Sequence, residues 1–212
     1  MAQKPKIEKP DYKKIESVIS DKNSKWFYPK LFDRYDKYDT TLTNEEFVFL
    51  YYGFLYQDAF SPYGLSDYSD SLRRLLNKET LTSYDYDTII RYEKLVLKKF
   101  PFNLRDLNVL AYAYKQKVEF DSVIFIVYRL DNLINTILNT GNGEKEKTAW
   151  HVISISHEYD ILNVLGYKFG GEQSLTTKGC DYLKVQENKL GIKGFYFDVN
   201  QLLQAEIKLF KK

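Results

Sequence analysis

The 212-residue chain has no apolar run long enough to cross a bilayer: the longest, residues 47–56, is interrupted by Gly53 and falls well short of the ~20 residues a spanning helix needs. It has one cysteine, Cys180, so no internal disulfide can form. Two histidines, His151 and His157, and that single thiol do not make up a Cys/His zinc set. Charge of one sign is also missing. The 31 Lys and Arg stand against 29 Asp and Glu, a formal +2, and the balance is even along the chain. No segment offers the basic footprint that phosphate neutralisation requires, which demotes nucleic acid and strongly anionic membrane surfaces as partners. Gly141-Asn142-Gly143 and Gly170-Gly171 lack the strand-to-helix fingerprint of a phosphate-cradling loop and read as turns or breaks. None of these patterns calls for a cofactor or a metal.

What the chain does have is aromatic rings, with 19 Tyr, 14 Phe and 2 Trp. Most fall in segments of helical periodicity, where packing is the first explanation and a contact surface the second. Residues 1–10, with Pro5 and Pro10, read as a flexible lead. This lead lacks the apolar stretch of roughly 7–15 residues of a secretory signal, which points to the cytoplasm if Met1 is the natural start. Ala2-Gln3 before a Lys/Pro-rich stretch looks like what remains after a signal peptide is removed at a small residue, which points instead to an exported, periplasmic or cell-surface protein.

Residues 11–140 read as helices. Short ones are expected over 11–20 and 28–38. Thr43-Asn44-Glu45-Glu46 matches a capping box and opens a helix that is apolar nearly all round, hence buried. Further helices are expected over 70–77, 85–100, 105–117 and 121–139. The last of these carries the stripe Val123, Val127, Leu130, Ile134 and Ile137 until Gly141 stops it. Beyond it the pattern turns β-like, with strands expected over 150–155, 182–185 and 194–199. Residues 158–165 stay open between helix and strand, Gly170-Gly171 breaks the chain, and Asn200 caps a last helix. The fold class is α+β: a helical two-thirds and a small β-rich unit over 148–212 packed on it.

A shift of 34 residues aligns Tyr86 with Phe120, Asp87 with Asp121, Ile89 with Val123 and Val96 with Leu130, the period of the tetratricopeptide repeat. Leu107, Leu110, Ala111 and Tyr114 fall on that repeat's first-helix positions, and Pro101 on its turn. A small residue such as Ala111 lets two helices approach while Leu107 and Tyr114 fill the groove. Ile89 and Val123 replace the usual alanine and Asn135 the second proline, so the resemblance is to a degenerate tetratricopeptide-like stack. An ordinary helical bundle with coincident stripes is the alternative. The whole chain, through Phe60-Ser61-Pro62-Tyr63-Gly64, Thr148-Ala149-Trp150-His151-Val152-Ile153-Ser154 and Gly191-Ile192-Lys193-Gly194-Phe195-Tyr196-Phe197, resembles an uncharacterised bacterial family, domain of unknown function 4919. That resemblance implies export and brings no activity or catalytic residues.

Chemistry is sparse. Cys180 needs a basic partner to act as a nucleophile; His151 or His157 comes near it if their strands pair, which nothing in the spacing demands. By repeat register, Arg105, Asn108, Tyr112 and Lys115 line a helical groove, a mix of cation, amide and aromatic suited to an extended peptide. The aromatic loop with Phe60 and Tyr63 is a second candidate, equally well explained as a plug for the helical stack. The functional expectation is a non-enzymatic binding or scaffold protein for a peptide or protein partner. The alternative is a hydrolase-like or carbohydrate-active protein with a site between the helices and the β-rich unit.

Overall fold

The structure is a computed structural model that describes residues 7–61 and 68–210. Among these residues the chain runs α1 (Tyr12–Ser20), α2 (Tyr28–Asp36), α3 (Asn44–Gly53), α4 (Ser69–Leu76), α5 (Ser83–Lys99), α6 (Leu104–Gln116), α7 (Phe120–Leu138), β1 (Trp150–His151), α8 (Ile155–Val164), β2 (Phe169–Leu175), β3 (Cys180–Val185), β4 (Gly194–Asp198) and α9 (Asn200–Phe210). The class is α+β, mostly helical with one small mixed sheet toward the C-terminus.

The helix starts follow from local chemistry. Thr43 Oγ1 accepts from the Glu46 amide at 3.2 Å while the Glu46 carboxylate accepts from the Thr43 amide at 2.8 Å. Thr82 and Asp85 repeat this arrangement at α5, which satisfies amides that the first turn of a helix leaves unpaired. The α3 helix is buried on all sides, as its composition demands, with Phe47, Phe49, Leu50, Tyr51 and Tyr52 all in the core. It packs against α1, α2 and α7. A Cβ on Gly53 would come within 3.1 Å of the Tyr28 ring and 3.3 Å of Ile19, so the absent side chain is what lets α1 and α2 close on α3. Next along the chain, α6 packs against both α5 and α7, with Leu107, Leu110, Ala111 and Tyr114 buried.

The sheet has the order β1-β4-β3-β2, with β1 parallel to β4 and the other pairs antiparallel. Asp181, Leu183, Phe195 and Phe197 alternate onto one face, which is buried, while Tyr182 and Tyr196 pair across the other with ring centroids 4.8 Å apart.

Three sequence expectations change, and one open segment is settled: residues 158–164 belong to a helix, which Ser154 caps by accepting from the Ser156 amide. That cap cuts the strand expected over 150–155 down to Trp150–His151. Gly170-Gly171 does not break the chain but lies inside β2, where the pairing register shifts between Phe169 and Gln173. Such a bulge suits the positive φ of +87° at Gly171. On α7 the buried side is Ile126, Arg129, Leu133, Thr136 and Ile137. The stripe read from the sequence shares only Ile137 with it; Val123, Leu130 and Ile134 are half-buried and Val127 is exposed. Arg129 occupies the core because its guanidinium lies 4.2 Å from the Tyr35 ring centre and 4.0 Å from that of Tyr38, and it donates to the Tyr35 carbonyl.

The turn after α7 depends on Gly143, whose φ is +67° and whose added Cβ would lie 2.4 Å from the Trp150 ring. Gly143→Ala is therefore expected to cost about 1–3 kcal/mol, read as a lower urea midpoint. A loss under about 0.5 kcal/mol, the range of an unremarkable surface change, would show that Trp150 can move aside.

Candidate functional site

Two features of the helical face come together where α6, α7 and α8 meet. A groove of about 350 Å³ runs there, lined by Arg105 and Asn108 of α6, Leu130 and Ile134 of α7, and Asp160 and Val164 of α8, among others. The i, i+3, i+7, i+10 spacing of Arg105, Asn108, Tyr112 and Lys115 puts all four on one exposed side of α6. The groove takes in the first two. Tyr112 lies further along, edge-on to Tyr86 of α5 at 6.1 Å, and Lys115 lies beyond it near the helix end. Arg105 is not a free cation: its Nη2 donates to Asp160 Oδ1 at 3.2 Å.

Of the aromatic loop, Phe60 is buried edge-on against Phe54, with ring centroids 5.7 Å apart, which is the packing role. Tyr63 lies outside the described residues.

Sequence reasoning missed a group of electrostatically linked acids, of which Asp160 lines the groove. Glu93 of α5 is buried, with one carboxyl oxygen lacking a hydrogen-bond partner. Burial, and then the charge of Asp106, push its pKa up to about 9. Burial raises Asp106 to about 6, with Asp160 adding to the rise and Arg105 opposing it. Asp160 is raised too, by burial against the pull of Arg105. The one signal available in the sequence was Glu93 standing in register with Ile89 and Val96 on the apolar side of α5.

A second buried acid, Glu158 of α8, faces the sheet. Gln173 Nε2 donates to Glu158 Oε2 at 3.3 Å and to Asp181 Oδ2 at 2.7 Å. Burial, followed by the neighbouring Asp181 carboxylate, raises Glu158 to about 9.

The thiol and the imidazoles stand apart. Cys180 and His151 flank Asp198 on neighbouring strands of one sheet row, so a carboxylate, not an imidazole, is next to the sulfur. Burial, and then Asp198 and Glu146, push the thiol up to about 11, the opposite of what activates a nucleophile. His151 Nδ1 bonds to Tyr12 Oη at 3.2 Å. His157 is a core residue, with Nδ1 2.6 Å from Tyr51 Oη and its ring stacked on Phe100 at 5.5 Å; burial lowers it to about 3. Among the described residues no group of three or more His, Cys, Asp or Glu side chains is arranged to hold a metal ion. A separate cleft of about 280 Å³ lies between α1, α3 and the end of α7. Its walls mix lysines, acids and the carboxamides of Asn44, Asn135 and Asn139, and no one chemistry prevails.

Glu93 and Glu158 give stability a definite pH slope. A carboxyl whose folded pKa lies near 9, against an ordinary value of about 4.5, keeps a proton that the unfolded chain releases. Stability therefore falls as pH rises through that window. Glu93→Gln is expected to flatten the fall, stabilising the chain more at pH 8 than at pH 5 by on the order of 1–3 kcal/mol in urea denaturation. An unchanged slope would place an ionised Glu93 in the core.

A family model described as a domain of unknown function, DUF4919, matches residues 13–208. No curated protein and no solved structure matches the chain.

Proposed function

The chain belongs to the domain of unknown function 4919 family, and from that premise we propose that it is a non-enzymatic binding or scaffold protein that takes a peptide or protein partner on the outer side of α6 and α7. The observation that carries this reading is the outer face of α7. Phe120, Ile124 and Val127, at i, i+4 and i+7, point into solvent, with Phe120 58% and Ile124 62% exposed. Single exposed apolar residues are ordinary, but a row of them on one helix marks a contact surface. The adjoining helix carries the exposed row Arg105, Asn108, Tyr112 and Lys115, and apolar surface together with polar groups and an aromatic ring is the combination found at protein contact surfaces.

The tetratricopeptide-like character of α5–α7 is part of the proposal. In such a stack each hairpin covers the face of the one before it, and the last helix needs a cap. Here α8 approaches α6 and reaches α7 at Leu130 and Ile134 across the groove, while the first two turns of α7 keep an exposed apolar side. A partner's apolar segment would complete the stack.

Ile124→Glu combined with Val127→Glu is expected to leave the thermal midpoint nearly unchanged, since both side chains are exposed. The same variant should weaken capture of a partner identified by crosslinking in the source cells by ten-fold or more, with Tyr84→Glu on α5 as the control. Unchanged capture by the double variant would remove α7 from the interface.

A further inference from the structure

Resting on that reading, we propose that the groove between α6, α7 and α8 receives a cationic side chain, arginine or lysine, from the partner, and that Arg105 holds its place in the free protein. The first reason is a carboxylate short of donors. Asp160 lines the groove, is 8% exposed, takes Arg105 on Oδ1, and has no hydrogen-bond partner on Oδ2 among the described residues. A buried carboxylate ordinarily collects several donors, and an oxygen left without one is costly. The second reason is the count of charges. Glu93, Asp106 and Asp160 interact in sequence, and Asp160 lines the groove, while Arg105 is the one cation ion-paired with the group among the described residues. Even with Glu93 protonated, two acids face one guanidinium.

Arg105 is poorly held for a residue with that task. Its side chain is 64% exposed and meets Asp160 through one 3.2 Å bond, and a pair with one partner so exposed adds little to stability. A second guanidinium arriving from outside can take both oxygens at once as a planar fork, a geometry the present single bond does not use. The walls suit its stem as well: Leu130, Ile134 and Val164 offer apolar surface to the methylenes of arginine or lysine. Asn108, exposed on the same groove, adds a carboxamide acceptor. An anion drawn to Arg105 would lie beside Asp160 and Asp106 and be repelled.

The test is a titration of the full 15N-labelled chain with N-acetyl-arginine amide and with its neutral isostere N-acetyl-citrulline amide, followed by amide shifts at residues 160–164 and by the Arg105 Nε–Hε signal. The arginine derivative is expected to give saturable shifts at those positions, and the citrulline derivative to bind at least ten-fold more weakly. Arg105→Ala, which removes the internal competitor, should bind arginine several-fold more tightly, and Asp160→Asn should lose the response. If Arg105→Ala fails to fold, Arg105→Gln replaces it with the same expected direction. Equal response to the two derivatives, no saturable shift in the groove, or weaker binding by the Arg105 variant would overturn the proposal. An α7 double variant that still captured the partner would strike the broader reading instead, so the two failures are distinguishable.

Discussion

The structure depends on α3 being surrounded. A ten-residue helix with aromatic or aliphatic side chains on every face cannot lie on a surface, so the rest of the chain has to enclose it. The helices α1, α2 and α7 do so from the helical part. Its two tyrosine hydroxyls then tie it to the C-terminal unit: Tyr51 Oη meets His157 Nδ1 at 2.6 Å, and Tyr52 Oη donates to the His151 carbonyl at 3.1 Å. These bonds satisfy polar atoms that burial would otherwise leave unpaired, and they make the sheet and the helices one core. His157 is thereby held as a packing group of the core.

The second organising feature is the polarity of α8. It has apolar residues directed at the core, Ile161 and Leu162, but it also buries His157, Glu158 and Asp160, which leave it with three different polar neighbourhoods. Glu158 and the sheet share Gln173, His157 is held by α3, and Asp160 meets α6. Groups of this kind cost stability unless each finds partners. Each of the three keeps one polar atom without a hydrogen-bond partner among the described residues, and the one on Asp160 is the one whose residue lines the groove between α6, α7 and α8.

The helices were legible because their signals are local. The capping residue Thr43, the proline after α5 and the glycine after α7 act within a few residues of where they stand, and the expected boundaries come within about two residues at α5, α6 and α7. The strands β3 and β4 were legible as short β-like segments beyond the end of the helical pattern. Two misread segments have their cause in tertiary context: a bulge let two glycines remain in β2, and a buried Arg129 turned α7 so that a less apolar side faces the core. Periodicity ranks faces by hydrophobicity, and it had no means of knowing that two tyrosine rings would be waiting for a guanidinium.

The candidate site divides the same way. Sequence alone put Arg105, Asn108, Tyr112 and Lys115 on one side of one helix, because a residue's angular position follows from 3.6 residues per turn. It also excluded a disulfide, a Cys/His zinc set and a bilayer span by simple want of the residues. Which groups meet that side was settled only in three dimensions, for Arg105 by a residue 55 positions away. Asp160 reaches Arg105 from α8, and Glu93 comes up from α5. Burial and charge pairing are properties of neighbours in space, and a linear pattern carries them only where the neighbours are also close along the chain.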